Sequence, residues 1–103
     1  MDINRWSGFS FFEQMGHIGS EIARARIWND KNDFVTRNRC LERAFDLIDL
    51  TRQDTRWRFR LKEICRLREL LADHYTNRHD YQVPLTDLEH YCTEFALVAR
   101  RSF

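Results

Sequence analysis

The sequence predicts an all-α protein: an antiparallel, up-down-up-down four-helix bundle made by one domain over residues 1–103. Three observations predict it. Apolar residues recur at i, i+3, i+4 and i+7 in four separate stretches, the spacing of a helix with one buried face. Two capping boxes, Ser10–Glu13 and Thr86–Glu89, mark helix starts, a hydroxyl meeting one orphan amide while a glutamate reaches back to another. Three glycines and a single proline leave too little turn chemistry for hairpins. A chain of this length can bury one core without staples.

Helix one is expected over residues 11–28, with Phe11, Met15, Ile18, Ile22 and Ala25 on its inner stripe. A second stripe, Phe12, Gly16, Gly19, Ala23 and Ile27, alternates small and large side chains. Glycine inside a helix costs ~1 kcal/mol against alanine, so two of them imply a backbone-level contact, with a neighbouring helix as the leading reading and a groove for a partner as the other. Helix two, over about residues 34–51, groups Phe34, Leu41, Ala44, Phe45 and Ile48. Asp54 is a natural N-cap for helix three, which carries Trp57, Leu61, Ile64, Leu71 and Tyr75 inward. Helix four follows Pro84 and carries Leu88, Tyr91, Cys92, Phe95 and Ala99. Linkers 29–33 and 52–53 are short, which makes helices one, two and three antiparallel neighbours, and the polar stretch 76–85 is longer.

Composition narrows the function classes. Cys40, Cys65 and Cys92 lie far apart without Cys-x-x-Cys spacing, so a reducing, cytoplasmic setting is expected rather than a disulfide framework. The first residues lack the pattern of a signal peptide, and no stretch is long and apolar enough to span a bilayer. Asp87 and His90 make one isolated near-match to a metal motif, and Glu13, His17 and Glu21 share a polar face, so no metal and no cofactor is expected. There is no glycine-rich phosphate loop and no nucleophile elbow.

Charge carries the strongest functional signal. Fifteen arginines stand against two lysines, and residues 37–68 hold nine of those arginines and a local balance of +5. The planar guanidinium fork suits phosphate, carboxylate and aromatic faces, so this segment reads as a contact surface. Arg56, Arg58, Arg60, Lys62 and Arg66 are the candidate phosphate contacts, although Glu69 and Asp73 continue the outer face of Arg58, Lys62 and Arg66. Leu47, Leu50, Phe59 and Leu70 fall on the backs of helices two and three and are the candidate homo-oligomer interface. Arg68 falls inside the apolar stripe of helix three and Arg52 extends that of helix two. A guanidinium there requires a carboxylate, with Asp49, Glu42 or Glu21 as partner, or forms the floor of a pocket.

Two segments, Arg5-Trp-Ser-Gly-Phe-Ser-Phe-Phe-Glu-Gln-Met-Gly16 and Arg60-Leu-Lys-Glu-Ile-Cys-Arg-Leu-Arg-Glu-Leu71, resemble small bacterial helical proteins, a likeness that brings no activity with it. In architecture alone, a short bundle with a basic surface resembles the family of 23S-intervening-sequence proteins and retroelement accessory variability proteins. That resemblance implies a ring-like homo-oligomer that meets nucleic acid and a reverse transcriptase through basic surfaces. Arg68-Glu-Leu-Leu-Ala-Asp-His74 also resembles the Arg-x(4–6)-His motif of HEPN ribonucleases, which implies a histidine acid or base and an arginine on phosphate. Glu69 departs from the polar residue that family prefers after the arginine, and so many arginines make one such spacing expected by chance. The expected function is therefore a non-enzymatic, self-associating bundle that holds nucleic acid or a nucleic-acid-handling protein. The competing readings are an adaptor for an acidic protein and a ribonuclease toxin.

Overall fold

A computed structural model describes residues 2–101, with side chains as far as Val98, and no strand occurs among them. The elements are α1 (Ile3–Trp6), α2 (Phe11–Asp30), α3 (Phe34–Arg52), a 3₁₀ helix (Thr55–Arg60), α4 (Leu61–Tyr75) and α5 (Leu85–Arg101). The four long helices pack together around one core.

Local chemistry sets most boundaries. The capping box of α2 is fully formed, with the Glu13 amide donating to Ser10 Oγ at 3.1 Å and the Ser10 amide donating to Glu13 Oε1 at 2.9 Å. Asn32, at φ 58°, turns the chain into α3, whose first turn is capped by Asp33 through the Thr36 amide at 3.0 Å. The short α1 was not legible from periodicity, because four residues carry no period; it exists to seat Trp6, which is fully buried.

Three sequence expectations need correction. Asp54 caps a 3₁₀ helix and not an α-helix; Trp57 leaves helical geometry at φ −106°, ψ 17°, and α4 starts only at Leu61. Three residues per turn instead of 3.6 puts Trp57 out of register with the stripe of α4. Leu61 and Tyr75, the first and last residues of α4, come out 42% and 37% exposed, and Leu67 joins Ile64 and Leu71 in the core. On α3, Phe34 is 42% exposed while Arg37 and Cys40 are buried with Leu41, Ala44 and Ile48. On α5, Thr86 is the second helical residue rather than the cap, and the Pro84 carbonyl receives the Asp87 and Leu88 amides. Leu88 and Cys92 are buried as expected and Tyr91 and Phe95 half-buried, while the side chain of Ala99 lies outside those described.

The helix-one glycines do what their cost implied. A Cβ on Gly19 would stand 2.8 Å from Cys92 Cβ, and one on Gly16 would stand 3.0 Å from Ala96 Cβ. Helices α2 and α5 therefore meet at backbone distance, and Arg26 Nε ties the seam to Glu89 at 2.5 Å. Helix α2 packs closely against both α3 and α5; α4 leans on α3 and approaches α5 at few places. Burial pushes the Cys92 thiol up to about 12, whereas Cys65 is half-buried on α4.

Candidate interaction surfaces

The arginine-rich segment divides into cations used by the fold and cations left for contact. Arg56 belongs to the fold. Its Nη2 donates to Asp54 Oδ2 at 2.6 Å and to the carbonyls of Ser7 and Phe9 at 2.9 and 3.1 Å. It is the charged end of a chain of buried polar contacts. Trp57 Nε1 donates to Gln14 Oε1 at 3.0 Å, Gln14 Nε2 to the Trp6 carbonyl at 3.0 Å, and Trp6 Nε1 to Thr51 Oγ1 at 2.9 Å. The hydrogen bond from Arg56 holds the Asp54 carboxyl below the usual carboxylate range.

Arg60 and Arg66 are also matched inside the chain. Arg60 lies 3.5 Å from Glu63 and 4.5 Å above the Phe11 ring. Arg66 pairs with Glu69 at 3.0 Å and stacks 4.5 Å over Tyr81, whose hydroxyl donates to the same Glu69. Arg58 and Lys62 differ. Both are exposed, and neither forms an ion pair with a carboxylate among the described residues. Between them stands Phe59, 88% exposed, with the Arg58 guanidinium 5.3 Å from its ring centroid.

The four apolar residues expected as one interface differ in exposure. Leu47, Leu50 and Leu70 are half-buried and pack on the core. Leu47 lines a groove of about 350 Å³ with Trp6, His17, Glu21 and Arg43. Leu70 lines another, of about 290 Å³, between α4 and α5 with Leu67, Val83, Leu88 and Tyr91. Only Phe59 of the four stands clear of the surface. Exposure of Phe59 was legible as a back-face position, but its place beside two unmatched cations depends on the 3₁₀ turn, which periodicity does not reveal.

Arg68 and His74 do not form a pair. Arg68 is held bidentately by Asp49, at 2.9 and 3.3 Å, and lies 4.9 Å from the Phe45 ring centroid. Asp49 was among its expected partners. Arg52, expected to extend the inward stripe, is exposed and shares Asp49 at 3.2 Å, while Thr51 takes the buried position. His74 is buried and bonds the Val83 carbonyl through Nε2 at 2.6 Å. Six residues apart on a helix, the two side chains leave on different faces about 9 Å apart along the axis.

No group of three His, Cys, Asp or Glu side chains converges among the described residues, and no helix there is long and apolar enough to cross a membrane. Comparison with protein-family models, curated proteins and solved structures returns no match, so the functional reading rests on the geometry of the chain itself.

Proposed function

We propose that the protein is a non-enzymatic, self-associating, up-down-up-down bundle that holds nucleic acid where the 3₁₀ helix joins α4. The opposed pairings Gly19 with Cys92 and Gly16 with Ala96, and Asp49 with Arg68 beside Asn38 with Tyr75, support that topology. One observation carries the function: Phe59 stands 88% exposed beside Arg58, and neither Arg58 nor Lys62, three residues on, has a carboxylate partner among the described residues. Burying a phenylalanine stabilises a fold by about 1.5–3 kcal/mol, so leaving it in water forgoes that gain. A base stacked on an exposed ring recovers about 1–3 kcal/mol, with Arg58 beside the ring and Lys62 on the next turn as contacts for the phosphates of a single strand. Arg60 and Arg66 lie at the edge of the same surface and join through their exposed fork atoms. Arg56 is committed to Asp54 and contributes little. Self-association repeats the patch and multiplies the phosphate contacts.

Fluorescence anisotropy with a labelled single-stranded oligonucleotide tests the reading. Affinity should fall with salt with a slope near 0.7 for each phosphate neutralised. Phe59→Ala should weaken binding roughly tenfold or more through lost stacking. Absence of binding at low salt, or a flat salt series, refutes it. An acidic protein partner is the second reading, favoured by Leu61, 42% exposed next to Phe59. Arginine and aromatic anchors in a partly apolar patch suit such an interface. Under it, Phe59→Ala abolishes recovery of a protein in a pull-down and oligonucleotides do not compete.

A further inference from the structure

Arg37 presents a different problem from the other arginines, at the opposite end of α3 from the 3₁₀ turn. It is 1% exposed. Its Nε donates to Asn38 Oδ1 at 3.0 Å, and its Nη1 to Asn29 Oδ1 at 3.1 Å and Asn77 Oδ1 at 3.2 Å. The guanidinium carbon lies 4.7 Å from the centroid of the Phe34 ring. Nη2 is buried and has no acceptor. No carboxylate among the described residues lies within ion-pair distance of this cation.

A buried charge is ordinarily matched, and a buried donor is ordinarily satisfied. Here both rules are broken at one residue. The choice of neighbours is the informative part. Asn29, Asn38 and Asn77 each place an amide oxygen where an aspartate of nearly the same shape would neutralise the charge. A clasp serving only the fold would gain from one aspartate at any of the three. Three amides instead hold the fork in place and leave its charge available. Two histidines stand at this end as well: His74 is buried nearby, and His79 packs against it with ring centroids 5.8 Å apart. Asp73, the buried carboxylate at this end, is occupied by the amides of Asp80 and Tyr81 at 2.8 and 3.2 Å.

One of the three amides on the guanidinium belongs to a surface residue. Asn77 is exposed and sits in the left-handed region at φ 57°, at the start of a loop in which His79 and Gln82 share that conformation. Rotation of that exposed amide removes one of the two acceptors at Nη1, beside the unpartnered Nη2, and two parallel donors are the geometry that binds an oxyanion bidentately. We propose that Arg37 is the centre of an oxyanion-binding site, which takes a small phosphate or carboxylate group in place of the Asn77 side chain.

Thermal unfolding of the full chain tests this in sodium phosphate, sodium acetate and sodium chloride at matched ionic strength and pH. Binding to the folded state should raise Tm by roughly 6 °C for each tenfold increase of phosphate above half-saturation. Asn77→Asp supplies an internal carboxylate; it should raise Tm in chloride and abolish the phosphate-specific rise. Arg37→Met should abolish that rise as well. Phosphate also stabilises proteins non-specifically by exclusion from their surfaces, and that part persists in both variants. A response to acetate too assigns carboxylates to the site, and a response to phosphate alone assigns tetrahedral oxyanions. Phosphate responses equal in the natural chain and in Asn77→Asp overturn the proposal, even where Arg37→Met does not fold.

Discussion

The two ends of the bundle handle a polar interior in opposite ways. Beside the 3₁₀ helix, Trp6, Gln14, Thr51, Asp54, Arg56 and Trp57 form a closed relay in which the cation meets a carboxylate. At the far end Arg37 is more deeply buried than Arg56 and meets only amides. Both are arginines on the same stretch of sequence, so residue type does not decide the outcome. What differs is the neighbour: one aspartate completes the first network, and three asparagines leave the second with an unmatched charge. A closed network stabilises, and an open one is available to something else.

The largest effect should come from breaking the closed end. Asp54→Ala removes the cap of the 3₁₀ helix and the partner of Arg56 together, and should cost about 2–4 kcal/mol in urea unfolding. Arg37→Met, by contrast, should change stability by less than about 1 kcal/mol, because replacing an unmatched buried cation with an apolar chain of similar volume is close to neutral. Equal losses in the two variants would erase the distinction. Between these lies Gly19→Ala, a control remote from both networks. The helix-propensity gain of about 1 kcal/mol is outweighed by a Cβ driven against Cys92, for a net loss of about 1–2 kcal/mol.

The smallest effect is a pH dependence at the open end. Burial lowers the His74 pKa, opposed by its bond to the Val83 carbonyl, with His79 and Arg37 lowering it and Asp73 raising it. The unfolded chain takes up this proton near pH 6.5, so below that pH the unfolded state binds more protons than the folded one. Stability from a neutral His74 is thus complete above about pH 6.5 and is lost as pH falls toward the lowered value. His74→Gln, which keeps a donor for Val83, should flatten the stability profile in that window. An unchanged profile would show that acid sensitivity arises elsewhere.

Periodicity and capping made the four long helices legible, along with most of the core of α2, α3 and α5. The Gly16 and Gly19 stripe was legible because glycine in a helix is costly without a close neighbour. The start of α4 was not, since a 3₁₀ turn has its own period and breaks the register between Trp57 and Leu61. Arg37 shows a different limit. Its place four residues before Leu41 and seven before Ala44 sets it on the buried stripe, but a charged residue there looks like surface until its amide neighbours are seen. Two of those neighbours, Asn29 and Asn77, lie at distant points of the chain, and nothing in their local sequence links them.

The unequal seams of the bundle have a consequence for its motions. Helix α2 is gripped on two sides, but α4 rests on one neighbour and faces α5 across a groove lined by Leu70 and Tyr91. Local opening follows the least-packed element, so amide protons of α4 should exchange with solvent ahead of those of α2. The irregular backbone at Trp57 is the natural pivot for that excursion. Any molecule captured at Phe59 would then slow the swing of the whole arm.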